Sequence, residues 1–175
     1  MMTIDPEALE PAPDPEFCDQ NGVFYVSGYA LKTKGDAEGS CWFLEEKKCS
    51  IYDQRMTICR VYPYMLHREP DEYGTVDWRQ FSGLDEHGEY GAVIPDEECT
   101  EAARITAEYE NAFLGHEIAF LEFMSGYFAS HGLRHVQKTY DDRMRAFRRG
   151  EEITVMVYHD GELEERRLTG SSSKS

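Results

Sequence analysis

At Pro95 the sequence changes its hydrophobic period. Beyond it Ala102, Ile105, Tyr109, Ala112/Phe113, Phe120, Phe123/Met124 and Tyr127 recur every three to four residues, which is one face of an amphipathic helix. Pro95 followed by Asp96, Glu97 and Glu98 supplies the helix start, with acid at the positive end of the dipole. Gly115 and Gly126 are positions where this long element can bend. A second helix is predicted over about 133–148, starting at Gly132, with Leu133, Val136, Tyr140, Met144 and Phe147 on one face and Gly150 at its C′ position. "EITVMVYHDGELEERRLT" then alternates as a hairpin over 151–168, with Asp160-Gly161 as its turn, and 169–175 reads as a flexible tail.

Before Pro95 the elements are short. Residues 1–17, rich in Pro and acid, read as an extended lead-in ordered by packing on something else. "GVFYVSGYALK" (22–32) is strand-like, and "CWFL" and "CSIY" flank Glu45-Glu-Lys-Lys48 as a short hairpin. Residues 62–95 read as a long irregular connection with at most one strand, around Tyr90 to Ile94. The predicted architecture is α+β: a small cysteine-bearing hairpin region within 18–95, two packed amphipathic helices within 96–149, and a C-terminal β-hairpin. At 175 residues this is expected to be a single domain.

Charge limits what such a domain can bind. A net charge of −16 opposes nucleic acid as a partner, because phosphate binding needs basic patches. Basic runs such as Arg143-Met-Arg-Ala-Phe-Arg-Arg149 read as a solvated helix face. The first residues lack a basic region followed by an apolar stretch, so no signal peptide is expected. The most apolar window, Ala112 to Ala129, is interrupted by His116, Glu117 and Glu122, so membrane insertion is not expected either. A cytoplasmic location follows as the expectation, and there an odd count of five cysteines argues against a disulfide framework.

Three of those cysteines, Cys41, Cys49 and Cys59, fall within nineteen residues. The ends of a hairpin and the turn after it can bring three soft thiolate ligands to one ion. Cys99, in the first turn of the long helix, would complete a tetrahedral shell or hold one corner of an iron–sulfur cube. Spacing alone leaves this open. No C-x-x-C pair is present, and free cysteines are often buried as small apolar residues.

The segment "CWFLEEKKCSIYDQRMTICRVYPY" (41–64) resembles the YkgJ-like cysteine-cluster family, a zinc- or iron-chelating domain whose members show C-x-F-L, C-S-I-Y, R-P and C-R-x-Y-P-F in order. Cys41, Phe43, Leu44, Cys49, Ser50, Ile51, Tyr52, Arg55, Cys59, Arg60, Tyr62 and Pro63 match that pattern. The family has a further cysteine downstream, and Cys99 is the candidate for it. Two features depart from the pattern. Met56 stands where the family has proline, and the upstream C-x-x-C-x-x-C-C cluster is absent, with Cys18 the one cysteine before residue 41. The resemblance implies a metal held by Cys41, Cys49, Cys59 and Cys99, with Cys18 as an alternative ligand. An iron–sulfur cluster is preferred over Zn2+, because the ligands are spread over separate elements rather than paired in knuckles.

His131 and His135, four apart, read as a cap and a surface histidine rather than metal ligands, and His116 with Glu117 as a satisfied polar position in mid-helix. Tyr62-Pro63-Tyr64 reads as packing beside the cysteines. No hydrolase, P-loop or dinucleotide fingerprint is present. The expected function is therefore a structural or electron-carrying metal centre in a subunit or adaptor of a larger protein assembly. The alternatives are an enzyme that uses the bound cluster or a thiolate, and an interaction subunit whose cysteines are vestigial.

Overall fold

The computed structural model describes residues 6–62, 64–66, 72–74, 78–80 and 95–170. Contacts divide the chain into two compact units, one formed by Met1–Ser50 with His116–Ser175 and the other by Ile51–Gly115. The architecture is α+β.

The first unit is built on a mixed four-stranded sheet in the order β10-β9-β3-β2. Its strands are β2 (Phe17–Cys18), β3 (Phe24–Val26), β9 (Glu152–His159) and β10 (Glu162–Thr169). The hairpin β9–β10 is antiparallel and turns at Asp160 (φ 50°) and Gly161 (φ 85°), the left-handed pair of a type I′ turn, as the Asp-Gly signal predicts. β3 lies parallel to β9, with Phe24 beside Val155 and Val26 beside Val157. β1 (Leu9–Pro11) pairs antiparallel with β4 (Tyr29–Leu31), so this part of the acidic lead-in is a strand of the unit.

Alternation along β3 and β9 makes both faces of the sheet apolar. Phe24, Val26, Ile153, Val155 and Val157 face one way, buried with Cys18 beneath Tyr140, Met144 and Phe147 of α3 (Gln137–Arg148). Tyr25 and Tyr158 face the other way, against Phe120 and Met124 of α2 (Asp96–His131). The two amphipathic helices are packed elements, as expected, but each packs on its own face of the sheet. Burial of each large side chain here contributes about 1.5–3 kcal/mol.

The helix boundaries follow from caps. α2 begins at Asp96, directly after Pro95, and continues through Gly115 and Gly126. Gly132 does not start the next helix but ends this one. It takes φ 63°, and the Leu133 N–H reaches back to the Phe128 carbonyl at 2.9 Å, closing a Schellman turn. The stretch Leu133–Val136 is then extended, with Asp19 and His135 forming a β-bridge, which is why α3 starts at Gln137 and not near 133. Gly150 (φ 97°) closes α3 as its C′ residue, with its N–H on the Phe147 carbonyl at 2.8 Å.

The second unit holds a 3-10 turn at Tyr52–Gln54, the short helix α1 (Thr57–Val61), the strand pair β7 (Tyr64–Leu66) and β8 (Trp78–Gln80), and the first part of α2. The β7–β8 pair, in register from Tyr64↔Gln80 to Leu66↔Trp78, interrupts what the sequence presents as an irregular connection. The strand expected around Tyr90 to Ile94 lies outside the described residues. Among the described residues no helix is long and apolar enough to cross a membrane.

Candidate metal centre

The first unit carries Cys41 and Cys49 on one small structure. A turn over Lys34–Ser40 leads into Cys41: the Lys34 N–H bonds the Ser40 carbonyl at 2.8 Å, and Asp36 accepts the Ser40 N–H at 2.7 Å. The Ser40 N–H first, and the Ser40 hydroxyl next, hold the Asp36 carboxyl below its usual range. Cys41 bridges to Thr33, and its carbonyl accepts the Leu44 N–H at 2.9 Å. β5 (Leu44–Glu45) and β6 (Lys48–Cys49) then form the expected hairpin, pairing Leu44 with Cys49. Its turn residues Glu46 (φ 47°) and Lys47 (φ 64°) are both left-handed without being glycine, a strain of about 1–2 kcal/mol each. Ser50 continues the hairpin, its N–H and hydroxyl both donating to the Phe43 carbonyl, at 2.8 and 3.0 Å.

The second unit carries Cys59 and Cys99. The Arg55 guanidinium stacks on the Tyr52 ring at 3.9 Å, and α1 follows with the Cys59 N–H on the Met56 carbonyl at 3.0 Å. Cys99 sits in the first turn of α2, its N–H on the Pro95 carbonyl at 3.1 Å. Glu101 is held below the usual carboxylate range first by its hydrogen bonds from Arg104 and further by the charge of Arg60, the residue after Cys59. The motif residues between the cysteines thus have structural work: Ser50 closes the hairpin, and Tyr52 with Arg55 braces the turn before α1.

Cys18 is placed differently. Its side chain is fully buried in the core beside Phe24 and Val155, and its thiol sits 3.6 Å from the Asp19 carbonyl. Burial, with the Asp19 charge adding to it, pushes the thiol up to about 11. A metal ligand needs the opposite, a thiolate that forms easily.

None of the five cysteines is in a disulfide: Cys41 and Cys99 are exposed, Cys49 and Cys59 half-buried, Cys18 buried. Among the described residues no three His, Cys, Asp or Glu side chains stand together so as to hold a metal ion. The donor set fits zinc or iron in its chemistry, four soft thiols outside any disulfide. His116, His131 and His135 each bond elsewhere. His131 stacks on Tyr127 at 4.1 Å, with Nδ1 2.9 Å from the Tyr127 carbonyl. His135 accepts the Cys18 N–H at Nδ1, at 3.1 Å. The His116 ring nitrogen bonds the Ser27 carbonyl.

These features define an α+β protein with a cysteine-bearing segment, whose thiols are of the chemical type that soft metals bind. Residues 12–87 match the family model CxxCxxCC, described as "Putative zinc- or iron-chelating domain", the family that the 41–64 motif resembles. The matched span begins well upstream of that motif and takes in Cys18 and strands β2 to β4, which lie outside residues 41–64. Neither curated proteins nor solved structures gave a match.

Proposed function

We propose that the chain is a metal-binding protein in which Cys41, Cys49, Cys59 and Cys99 hold one centre of structural or electron-carrying role, within a larger protein assembly. The observation that carries this reading is the set of three cysteines at 41, 49 and 59 inside a segment that matches a zinc- or iron-chelating family. Cys99 is favoured over Cys18 as the fourth ligand because it is exposed in the first turn of α2, while Cys18 is locked in the core.

Bound zinc with four thiolates has no open position for water, and a bound cluster supplies one-electron transfer. Ligands spread over a hairpin and two helices favour the cluster. The net charge of −16, and exposed Ile118 and Leu121 on α2, support a role as subunit or adaptor.

Anaerobic purification tests the identity of the centre. A brown protein with a broad visible absorption band, bleached by dithionite, is expected. A colourless, zinc-replete protein would replace the cluster by zinc, and a strictly monomeric species in native lysate would contradict the subunit role.

A further inference from the structure

Away from the cysteines, a cleft of ≈ 500 Å³ lies in the first unit, between the β1–β4 ladder and the β9–β10 hairpin. That volume is in the range of small-molecule sites, about 300–1,000 Å³. Pro6, Leu9, Pro11 and Leu168 give it an apolar lining. Its charged lining is Lys32, Arg166 and Arg167 against Glu10 and Glu164, an excess of cation in a chain of net charge −16. Glu152 and Glu165 also lie beside Arg167, so what the cleft attracts is decided by the cations least compensated within about 8 Å, beyond which charges are largely screened at physiological salt.

The cations are not equally available. Glu164 accepts the Tyr29 hydroxyl at 2.6 Å and Arg166 at 2.6 Å, and Arg166 lies 5.6 Å over the Tyr29 ring. These bonds, the Tyr29 one first, hold the Glu164 carboxyl below its usual range, so it stays the counter-ion of Arg166. Burial keeps Tyr29 a hydroxyl donor, pushed up to about 12. Lys32, by contrast, donates to the neutral Glu7 carbonyl at 2.8 Å, which leaves its charge uncompensated by that bond. Arg167 is 67% exposed and only loosely paired, 3.5 Å from Glu165 and 3.8 Å from Glu152.

We propose that this cleft binds a small organic anion, a carboxylate or phosphate carried on an apolar body. Lys32 and Arg167 take the anionic group, and Tyr29 with the proline and leucine lining takes the body. Guanidinium and ammonium donors suit either oxyanion.

The test is titration of the 15N-labelled full-length protein with benzoate, phenyl phosphate, inorganic phosphate and benzylamine. Benzoate or phenyl phosphate should move the amide signals of Tyr29, Lys32, His159 and Arg167, and the probe that binds tighter identifies the oxyanion. Inorganic phosphate should bind more weakly than phenyl phosphate, and benzylamine should leave those signals in place. The double variant Lys32→Gln/Arg167→Gln should raise Kd about tenfold, with the other β9–β10 amides unshifted as the sign of an intact fold. The exposed single variant Arg167→Gln serves as the second case. Absent shifts at millimolar probe, equal shifts with benzylamine, or affinity unchanged in both variants would overturn the proposal.

Discussion

Asp19 shows how one side chain can organise a turn. Its Oδ1 accepts the Asn21 and Val23 N–H groups at 2.8 and 3.1 Å, its Oδ2 accepts the Tyr25 hydroxyl at 3.0 Å, and it is almost wholly buried. Asp19-Gln-Asn-Gly22 is an Asx-turn signal, with Gly22 at φ 85°, and it was legible in the sequence although unread there. Asp19→Ala would strand these donors and should lower urea stability by about 3 kcal/mol. Asp19→Asn, which keeps the Oδ1 acceptor, should lose clearly less; equal losses would contradict this account. Cys18 offers a second test. Its thiol is raised from about 9 to about 11 in the folded chain, so the stability it contributes is fully present below pH 9 and is lost as pH rises toward 11. Iodoacetamide applied to metal-free native protein near pH 8 should label Cys41 and Cys99 and spare Cys18, read by peptide mass spectrometry. Cys18 labelled as fast as Cys41 would contradict the buried placement.

At the scale of elements, what was legible is what leaves a local pattern. The period of α2 and α3, the hairpin around Glu46-Lys47 and the Asp160-Gly161 turn each lie within one stretch of chain. Gly132 was misread because glycine marks either end of a helix, and only the left-handed φ with the Leu133–Phe128 bond decides. The parallel pairing of β3 with β9 joins Phe24 to Val155 across the chain and leaves no local trace. The cysteine motif was legible as residue types, but the spatial relation of its ligands was not, since a chelating set has no periodicity. Met56, the departure from the family pattern, turns out to be neutral in conformation. It takes φ −58° and ψ 153°, and Arg55 before it takes φ −53° and ψ 142°, angles that proline and its preceding residue adopt. Met56→Pro should therefore raise stability by about 0.5–1 kcal/mol, measured as an increase in the urea midpoint. A fall in the midpoint would show that the turn before α1 differs from the one described.

For the molecule as a whole, the sheet and its two helix layers supply the core of the first unit, and the cysteines other than Cys18 lie outside it. Cys41 and Cys49 belong to one compact unit, Cys59 and Cys99 to the other. Losing a ligand should therefore release the metal and loosen the segment around residues 40–65, while the sheet stays folded. The most direct measurement is metal content per chain, after anaerobic purification, of the wild type and of Cys→Ser variants at positions 18, 41, 49, 59 and 99. The account predicts zinc or iron in fixed stoichiometry with the wild-type chain, retained in Cys18→Ser and lost in the other four. Wild-type protein that is metal-free, or metal that survives Cys49→Ser and Cys59→Ser, would contradict it.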